Sequence, residues 1–311
     1  MLRSTTHDAP ASPPRRRGDV IFSGLARASG LVILLALAGV AAFLTIEGVP
    51  GLHGDPSIYN GAPNFVHYVW PLVFGTILAA MIAILIATPL AVGVALVISH
   101  FSPARLGRPV SYLVDLLAAI PSVVYGLWGI NFLAVKLSGG YAQLADKLSW
   151  IPFFAGPASP TGRTILTAGI VLAVMILPII TAITREVFLQ TPLLNQEAAL
   201  ALGATRWEMI RMAVFPYARS GVVSAVMLGL GRALGETMAV AMVLSASGVV
   251  SFNLISSENP STIAANIALQ FPESSGQKVN VLIATGLVLF VVTFAVNFAA
   301  RAVVARGEAR A

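Results

Sequence analysis

The sequence predicts an all-α membrane protein that crosses the bilayer six times. Of its 311 residues, 57% are hydrophobic and only 10% are charged, whereas a soluble domain carries about 25% charged residues. The mean hydropathy is +0.85. Six segments reach the roughly 20 mostly apolar residues that a membrane-spanning helix needs. Together these observations place the chain in the polytopic membrane class.

The six predicted helices lie between two polar tails, at residues 25–46, 72–98, 112–135, 165–184, 222–246 and 281–304. The first follows an arginine run, as a signal peptide does, but its apolar stretch exceeds the about 7–15 residues of a signal h-region. We therefore expect a retained helix. Residues 1–24, rich in Pro, Ser and Arg, are predicted to form a disordered tail. Residues 25–305 form the predicted transmembrane domain and 306–311 a second tail.

The distribution of basic residues predicts the orientation in the membrane. Fourteen of the 19 Lys and Arg residues fall in the two tails and in the loops after the second and fourth helices. The opposite loops hold only Lys136, Lys147, Arg163 and Lys278. Because Lys and Arg are enriched in cytoplasmic loops, both termini are predicted to be cytoplasmic, in a multi-pass protein of the cell membrane.

Composition also excludes several kinds of site. The chain has no cysteine, so disulfides, thiolate metal sites and cysteine nucleophiles are excluded. Its four histidines lie far apart and show no ligand spacing, so no metal site or cofactor is predicted. The net charge of +6 is typical of proteins that attract nucleic acid. Here the basic residues lie between apolar stretches, as orientation signals do, and no nucleic-acid partner is predicted.

The loop between the fourth and fifth helices contains an amphipathic pattern. Residues 195–216 read NQEAALALGATRWEMIRMAVFP. Apolar residues recur there every three or four positions, which predicts a helix at about 195–213; this apolar stripe consists of Leu200, Ala204, Trp207, Ile210 and Val214. This segment is too polar to span the bilayer, so its apolar stripe must pack on something. Periodicity alone leaves open a helix lying on membrane lipid.

The fifth predicted helix carries two charges. Arg232 lies ten residues after the helix start, about 15 Å deep at 1.5 Å per residue, near the middle of the hydrocarbon core. Glu236 follows four residues later, on the same helix face, so an ion pair is predicted. One interpretation is a pair that only fixes helix packing. The other is that Arg232 faces a water-filled route for an anion, because guanidinium donors match phosphate oxygens.

The loop resembles the EAA signature of ABC importer permeases. The matching residues are Glu197, Ala198, Ala199, Gly203 and Pro216, while two other positions depart from the usual Ile and Leu but stay apolar. The resemblance implies that these residues dock in a cleft of an ATPase subunit and carry its closure to the membrane helices. No GxxxxGK[ST] motif occurs in the chain. The ATPase is therefore expected to be a separate polypeptide, and the chain itself is not expected to be an enzyme.

A narrower resemblance comes from the two sequences GRALGETMAV, beginning at Gly231, and AAIPSVVYGLWG, beginning at Ala118. With the EAA loop, they are similar to the PstC-type permease of phosphate importers. ETMAV favours this type over the PstA type, whose motif usually continues as ETAPL. The resemblance implies a type I importer permease architecture, with Arg232, Glu236 and Thr237 on the substrate pathway. It also implies phosphate as the transported anion and three protein partners: a PstA-type permease, a PstB-type ATPase dimer and a PstS-type phosphate-binding protein. Membrane lipid is expected around the apolar helices.

Three alternatives differ from a phosphate permease. The EAA loop would equally fit a permease for another oxyanion, such as molybdate, sulfate or phosphonate. A non-ABC transporter would not need an ATPase-docking segment. An intramembrane enzyme would need a nucleophile with a base, or paired carboxylates, at membrane depth. The only deep acids, Asp115 and Glu236, lie on different predicted helices.

Overall fold

The computed structural model describes residues 17–308, which form twelve α-helices and, apart from one isolated backbone bridge between Ala246 and Asn259, no strand. The all-α prediction is confirmed. The helices are α1 (Arg17–Gly48), α2 (Phe65–Leu96), α3 (Ala104–Ala118), α4 (Ser122–Trp128), α5 (Ala134–Lys147), α6 (Ile165–Leu189), α7 (Leu193–Ala201), α8 (Arg206–Met209), α9 (Phe215–Leu234), α10 (Met238–Val243), α11 (Ile263–Gln270) and α12 (Gln277–Glu308).

Five helical spans of the described chain are long and apolar enough to cross a membrane, and a bent pair makes the sixth. The five are Ile21–Leu52, Phe65–Phe101, Ile165–Leu189, Arg206–Leu234 and Gln277–Ala302. The sixth joins Arg105–Ala118 to Ser122–Lys147 across a bend of 92°. The predicted number of spans is confirmed, although the third is broken near Pro121, where the residue before a proline disfavours helical backbone.

Small side chains bring α2 and α6 together at the centre of the fold. Alanines recur on α2 every four residues from Ala79 to Ala95, and all of them are fully buried. On α6, a Cβ added to Gly169 would lie only 2.4 Å from a methyl carbon of Ile82. Without a hydrophobic force between helices in lipid, such close packing supplies most of the attraction. This pair forms the scaffold on which the other helices pack.

Several predicted helix bounds differ from the structure: the second span begins at residue 65 and not 72, the broken third span covers 105–147 and not 112–135, and the fifth begins at 206 and not 222. The first helix begins at Arg17, so residues 17–24 are helical and not part of a disordered tail; residues 1–16 of that predicted tail lie outside the described residues. The fifth helix was predicted to run without interruption to residue 246, and this is wrong. It ends at Leu234, and beyond α10 the chain continues as a non-helical segment, residues 244–262.

The non-helical segment 244–262 packs back into the protein on the side where α6 begins. Asn259 is fully buried. Its side-chain amide donates to the carbonyls of Ser256 at 2.9 Å and Ser245 at 3.2 Å, and its side-chain oxygen accepts from the Ile165 N–H at 3.0 Å. One asparagine therefore satisfies backbone groups that a helix would have paired internally, as irregular buried backbone requires.

Candidate functional site

The fifth span is interrupted where the two predicted site charges lie. Helix α9 ends at Leu234 and α10 begins at Met238. Between them, the Thr237 hydroxyl donates to the Gly235 carbonyl at 3.2 Å and satisfies part of the open helix end. Gly229, just before the break, packs on Ile176 and Ile180, near the midpoint of α6. Because non-helical backbone at membrane depth is tolerated only inside protein or beside a water-filled cavity, this break marks a candidate functional site.

Glu236 serves the backbone after the break. Its carboxylate is buried, with 9% of the residue exposed, and accepts a hydrogen bond from the Ala239 N–H at 3.1 Å. The predicted ion pair with Arg232 is wrong, since no contact within 4.0 Å links these two side chains. The helix ends between them, so a spacing of four residues no longer places them on one face. The acid instead stabilises the first turn of α10, where a negative charge complements the helix dipole.

Arg232 is exposed in the isolated chain and lines a groove of about 1480 Å³ between α1, α6, α9 and α12. The groove walls are mostly leucine, phenylalanine and other apolar side chains. Its polar lining residues are Ser220, Ser224, Asn297 and a second arginine, Arg301. Among the described residues that line it, two are cationic and none is acidic. The groove therefore presents positive charge within mostly apolar walls, an arrangement that favours an anion.

The two sequences that suggested the narrower resemblance pack against each other through glycine. A Cβ added to Gly126 of α4 would lie 3.0 Å from the Ala239 Cα and 3.0 Å from the Met242 sulfur on α10. A Cβ at Gly129 would lie 2.8 Å from a methyl carbon of Val243. Helix α4 itself begins directly after the break at Pro121. The site therefore consists of two short helices, each following a break, in close backbone contact.

This contact predicts that a side chain at Gly126 destabilises the protein. In Gly126→Val, the added carbons must push α4 and α10 apart, and overpacking of this kind costs about 1–3 kcal/mol. We expect a lower melting temperature in detergent. Gly139→Val is the matched control, because Gly139 is also helical and has nothing within 4 Å of an added Cβ. Equal melting temperatures for the two variants would contradict the close contact.

The EAA loop is not one helix, so the prediction of a single helix over about 195–213 differs from the structure. Helix α7 ends at Ala201, and Gly203 adopts φ +87°, a left-handed conformation that favours glycine. Nothing lies within 4 Å of an added Cβ there, so backbone conformation and not crowding explains this glycine. Helix α8 then starts with a capping box, in which Thr205 and Glu208 bond reciprocally.

The loop anchors itself through one buried residue of the EAA sequence. Ala199 packs in an apolar cluster with Phe188 of α6 and Ile210 and Val214 beside α8. In contrast, Glu197 and Ala198 are exposed, as is Gly203. Pro216 is exposed, is the second residue of α9 and directly follows a π-helical turn at Ile210–Val214, a helix irregularity of the kind found at prolines inside helices. Four of the five predicted coupling residues are therefore exposed, and the fifth, Ala199, packs in the interior and fixes the loop in place.

Leu202 and Trp207 extend this exposed surface, and the sequence argument did not single them out for that role. Leu202 is 87% exposed and Trp207 is 54% exposed. Trp207 was placed in the apolar stripe of the loop because periodicity assumes one helix. The left-handed Gly203 changes the direction of the chain between Leu202, at the end of α7, and Trp207 in α8. The available signal in the sequence was Gly203 itself, since Gly is the usual residue after a helix end.

Comparisons with known proteins agree with this arrangement. A family model described as "Binding-protein-dependent transport system inner membrane component" matches residues 87–307. "Phosphate transport system permease protein PstC 2" of Mycobacterium tuberculosis is 46% identical over 302 residues, which cover 93% of each chain. "Phosphate transport system permease protein PstC" of Mycobacterium leprae is 42% identical over 309 residues, covering 96% of this chain and 97% of the relative.

The fold is also found in a solved transporter. The crystal structure of a bacterial ABC transporter involved in the import of the acidic polysaccharide alginate superposes with a TM-score of 0.54 at 17% identity. The match covers 92% of this chain and 98% of the transporter chain, and at that identity it shows the fold alone. From the family model and the relatives together, the chain belongs to the binding-protein-dependent transport system inner membrane components and, among them, to the PstC-type permeases.

Proposed function

We propose that the chain is the transmembrane permease subunit of an ATP-driven importer of inorganic phosphate, and that it forms half of the translocation pathway. The observation that carries this proposal is Arg232, an exposed guanidinium near the end of a candidate membrane span and beside a helix break, in a groove whose described lining residues include no carboxylate. An intramembrane arginine is costly and usually marks an ion or substrate route. The PstC names of the relatives supply the substrate.

The chemistry of the site suits a tetrahedral oxyanion. Arg232 offers paired N–H donors in one plane, which match two phosphate oxygens, and it stays charged at every physiological pH. Glu236 is engaged with the Ala239 N–H, so its charge is held away from the route. Thr237, whose hydroxyl bonds the Gly235 carbonyl, shapes the break. In this reading Arg232 contacts phosphate, while Glu236 and Thr237 keep the interrupted backbone in place.

Four partners follow from the proposed function. The groove beside Arg232 is open in this single chain, and a PstA-type permease would complete the pathway. The exposed surface of Glu197, Ala198, Gly203 and Leu202 would receive a PstB-type ATPase dimer, because the chain has no phosphate-binding loop of its own. A PstS-type phosphate-binding protein would deliver substrate to the outer face. Membrane lipid would cover the apolar faces of the spans.

Phosphate uptake by the reconstituted complex tests the proposal against the other oxyanions. Proteoliposomes holding the two permeases and the ATPase, with the phosphate-binding protein outside and ATP inside, should accumulate labelled phosphate. A tenfold molar excess of sulfate or molybdate should not lower phosphate uptake. Such an excess would compete only if the complex preferred phosphate by less than about 1.4 kcal/mol of binding free energy. Uptake of sulfate or molybdate through their own binding proteins, without phosphate uptake, would favour the alternative. Uptake in the absence of the ATPase would indicate a non-ABC transporter.

The membrane orientation gives a second test. We propose that both termini are cytoplasmic, on the basis of the asymmetric distribution of Lys and Arg. A reporter enzyme that is active only outside the cytoplasm should therefore be silent after Ala311 and active when fused at Gly140, in α5. A silent fusion at Gly140 together with an active one at Ala311 would reverse the orientation and place the EAA loop on the wrong side for an ATPase.

A further inference from the structure

Arg163 holds the end of α10 that lies opposite Glu236. One guanidinium nitrogen of Arg163 donates to the Met242 carbonyl at 3.2 Å and to the Leu244 carbonyl at 3.3 Å. At the other end of α10, the Glu236 carboxylate accepts from the Ala239 N–H at 3.1 Å. A six-residue helix is thus bounded by an anion at its first turn and a cation at its last.

These two charges matter because α10 is too short to be stable on its own. Isolated helices below about 12–15 residues are marginal even in favourable sequences. A negative charge at the first turn and a positive charge at the last both interact favourably with the helix dipole. Hydrogen bonds from a charged donor are also about twice as strong as neutral ones. The position of α10 along its own axis therefore depends on both ends being held.

Arg163 is suited to this role because its own backbone is fixed. The preceding residue, Gly162, adopts φ +67°, and an added Cβ there would collide with the Ala134 carbonyl at the start of α5. The Arg163 carbonyl accepts from Asn259, and α6 begins two residues later. The side chain is half-buried, and its Nε has no hydrogen-bond partner in the described structure. The guanidinium thus donates to one carbonyl in the last turn of α10 and to the carbonyl of Leu244 just after it, although its own buried Nε–H stays unsatisfied.

We propose that Arg163 is a positioning residue for transport, which fixes the outer end of α10 and thereby the geometry of Glu236 and the break beside Arg232. The inference rests on the proposed function for its transport consequence. The positional link between Arg163 and α10 does not depend on the substrate. Arg163 does not contact the anion in this assignment; it acts through α10.

The test compares Arg163→Gln, Arg163→Lys and a control, Lys147→Gln, in the reconstituted complex. Lys147 is an exposed basic residue of the same outer side. Arg163→Gln should lower the maximal uptake rate about tenfold or more, since two hydrogen bonds from a charged donor are lost. The concentration of loaded binding protein that gives half-maximal uptake should stay unchanged, because Arg163 lies outside the docking step. Arg163→Lys should recover part of the rate, because an ammonium still reaches a carbonyl.

Hydrogen exchange separates failure of this proposal from failure of the proposed function. Arg163→Gln should speed amide exchange over residues 238–244, whereas Lys147→Gln should leave it unchanged, whatever the substrate is. Unchanged exchange and uptake in Arg163→Gln would overturn the proposal. If Arg163→Gln does not assemble, Arg163→Lys decides: faster exchange with a reduced maximal rate supports positioning, and wild-type behaviour overturns it. A change confined to half-saturation would also overturn it and indicate a direct contact.

Discussion

Arg232→Gln is expected to reduce phosphate uptake by about two orders of magnitude, because two hydrogen bonds from a charged donor to the anion are lost. Glutamine keeps a polar side chain of similar reach without the charge or the forked donors. Assembly should persist, since Arg232 is exposed and makes no ion pair with Glu236. Arg232→Lys keeps the charge as a point donor and should retain intermediate uptake. Labelled phosphate uptake and copurification of the complex measure the two properties.

The double variant with Glu236→Gln tests whether Arg232 and Glu236 act as a buried pair at some stage of transport, although their side chains make no contact in this structure. Replacing both members of a buried pair is often nearly neutral, whereas breaking it is costly. Glu236→Gln alone should impair uptake moderately, because a neutral acceptor caps α10 less well than a carboxylate. The double variant should stay as inactive as Arg232→Gln. Recovery of uptake in the double variant would contradict the anion contact and make the two charges structural.

Gly203→Asp is expected to abolish coupling while leaving membrane insertion intact. The glycine is exposed on the EAA surface with φ +87°. An aspartate there adds a charge that the docked ATPase would bury, which should lower ATPase copurification and uptake about tenfold or more. The amount of permease in the membrane should stay at the wild-type level, because the glycine has no packed neighbours.

Gly203→Asn is the matched control for this charge. Asn and Asp have similar shapes, and both are enriched among residues with positive φ, so both variants strain the turn to a similar degree. Gly203→Asn should therefore lose less coupling than Gly203→Asp. If Gly203→Asp supports wild-type uptake at wild-type amounts of the complex, the EAA loop is not the ATPase contact.

The spans were predictable because composition alone decides whether a segment enters the bilayer. The break in the fifth span was not. Residues 238–246 are as apolar as a helix interior, so hydropathy does not show where the helix ends. The end depends on long-range contacts, namely Arg163 on the last turn of α10 and Asn259 on the carbonyl of Ser245. Such contacts join residues that are distant in the sequence, and a local pattern does not contain them.

The candidate site was predicted in part. Arg232 was identified from the cost of a charge in the bilayer, and the structure places it beside a groove. Its pairing with Glu236 was predicted from helical spacing and failed because the helix does not continue. The same assumption joined Leu200 to Val214 in one stripe, although Gly203 separates two helices. Periodicity continues to fit across a turn when the residues on both sides happen to keep the spacing.

The long helical span Arg206–Leu234, which includes a π-helical turn at Ile210–Val214, has a mechanical consequence. At about 1.5 Å per residue it is a rod of roughly 43 Å, with the exposed Trp207 near one tip and Arg232 near the other. Tilting such a rod by about 10° around its midpoint moves each tip by roughly 3–4 Å, which exceeds the range of a hydrogen bond. A push at the Trp207 tip therefore reaches the guanidinium along helical backbone, through the π-helical turn at Ile210–Val214. Helix α10 lies beyond the break at residues 235–237 and is bonded to Arg163, two residues before α6 begins. Tilting the long span would therefore move Arg232 relative to α10.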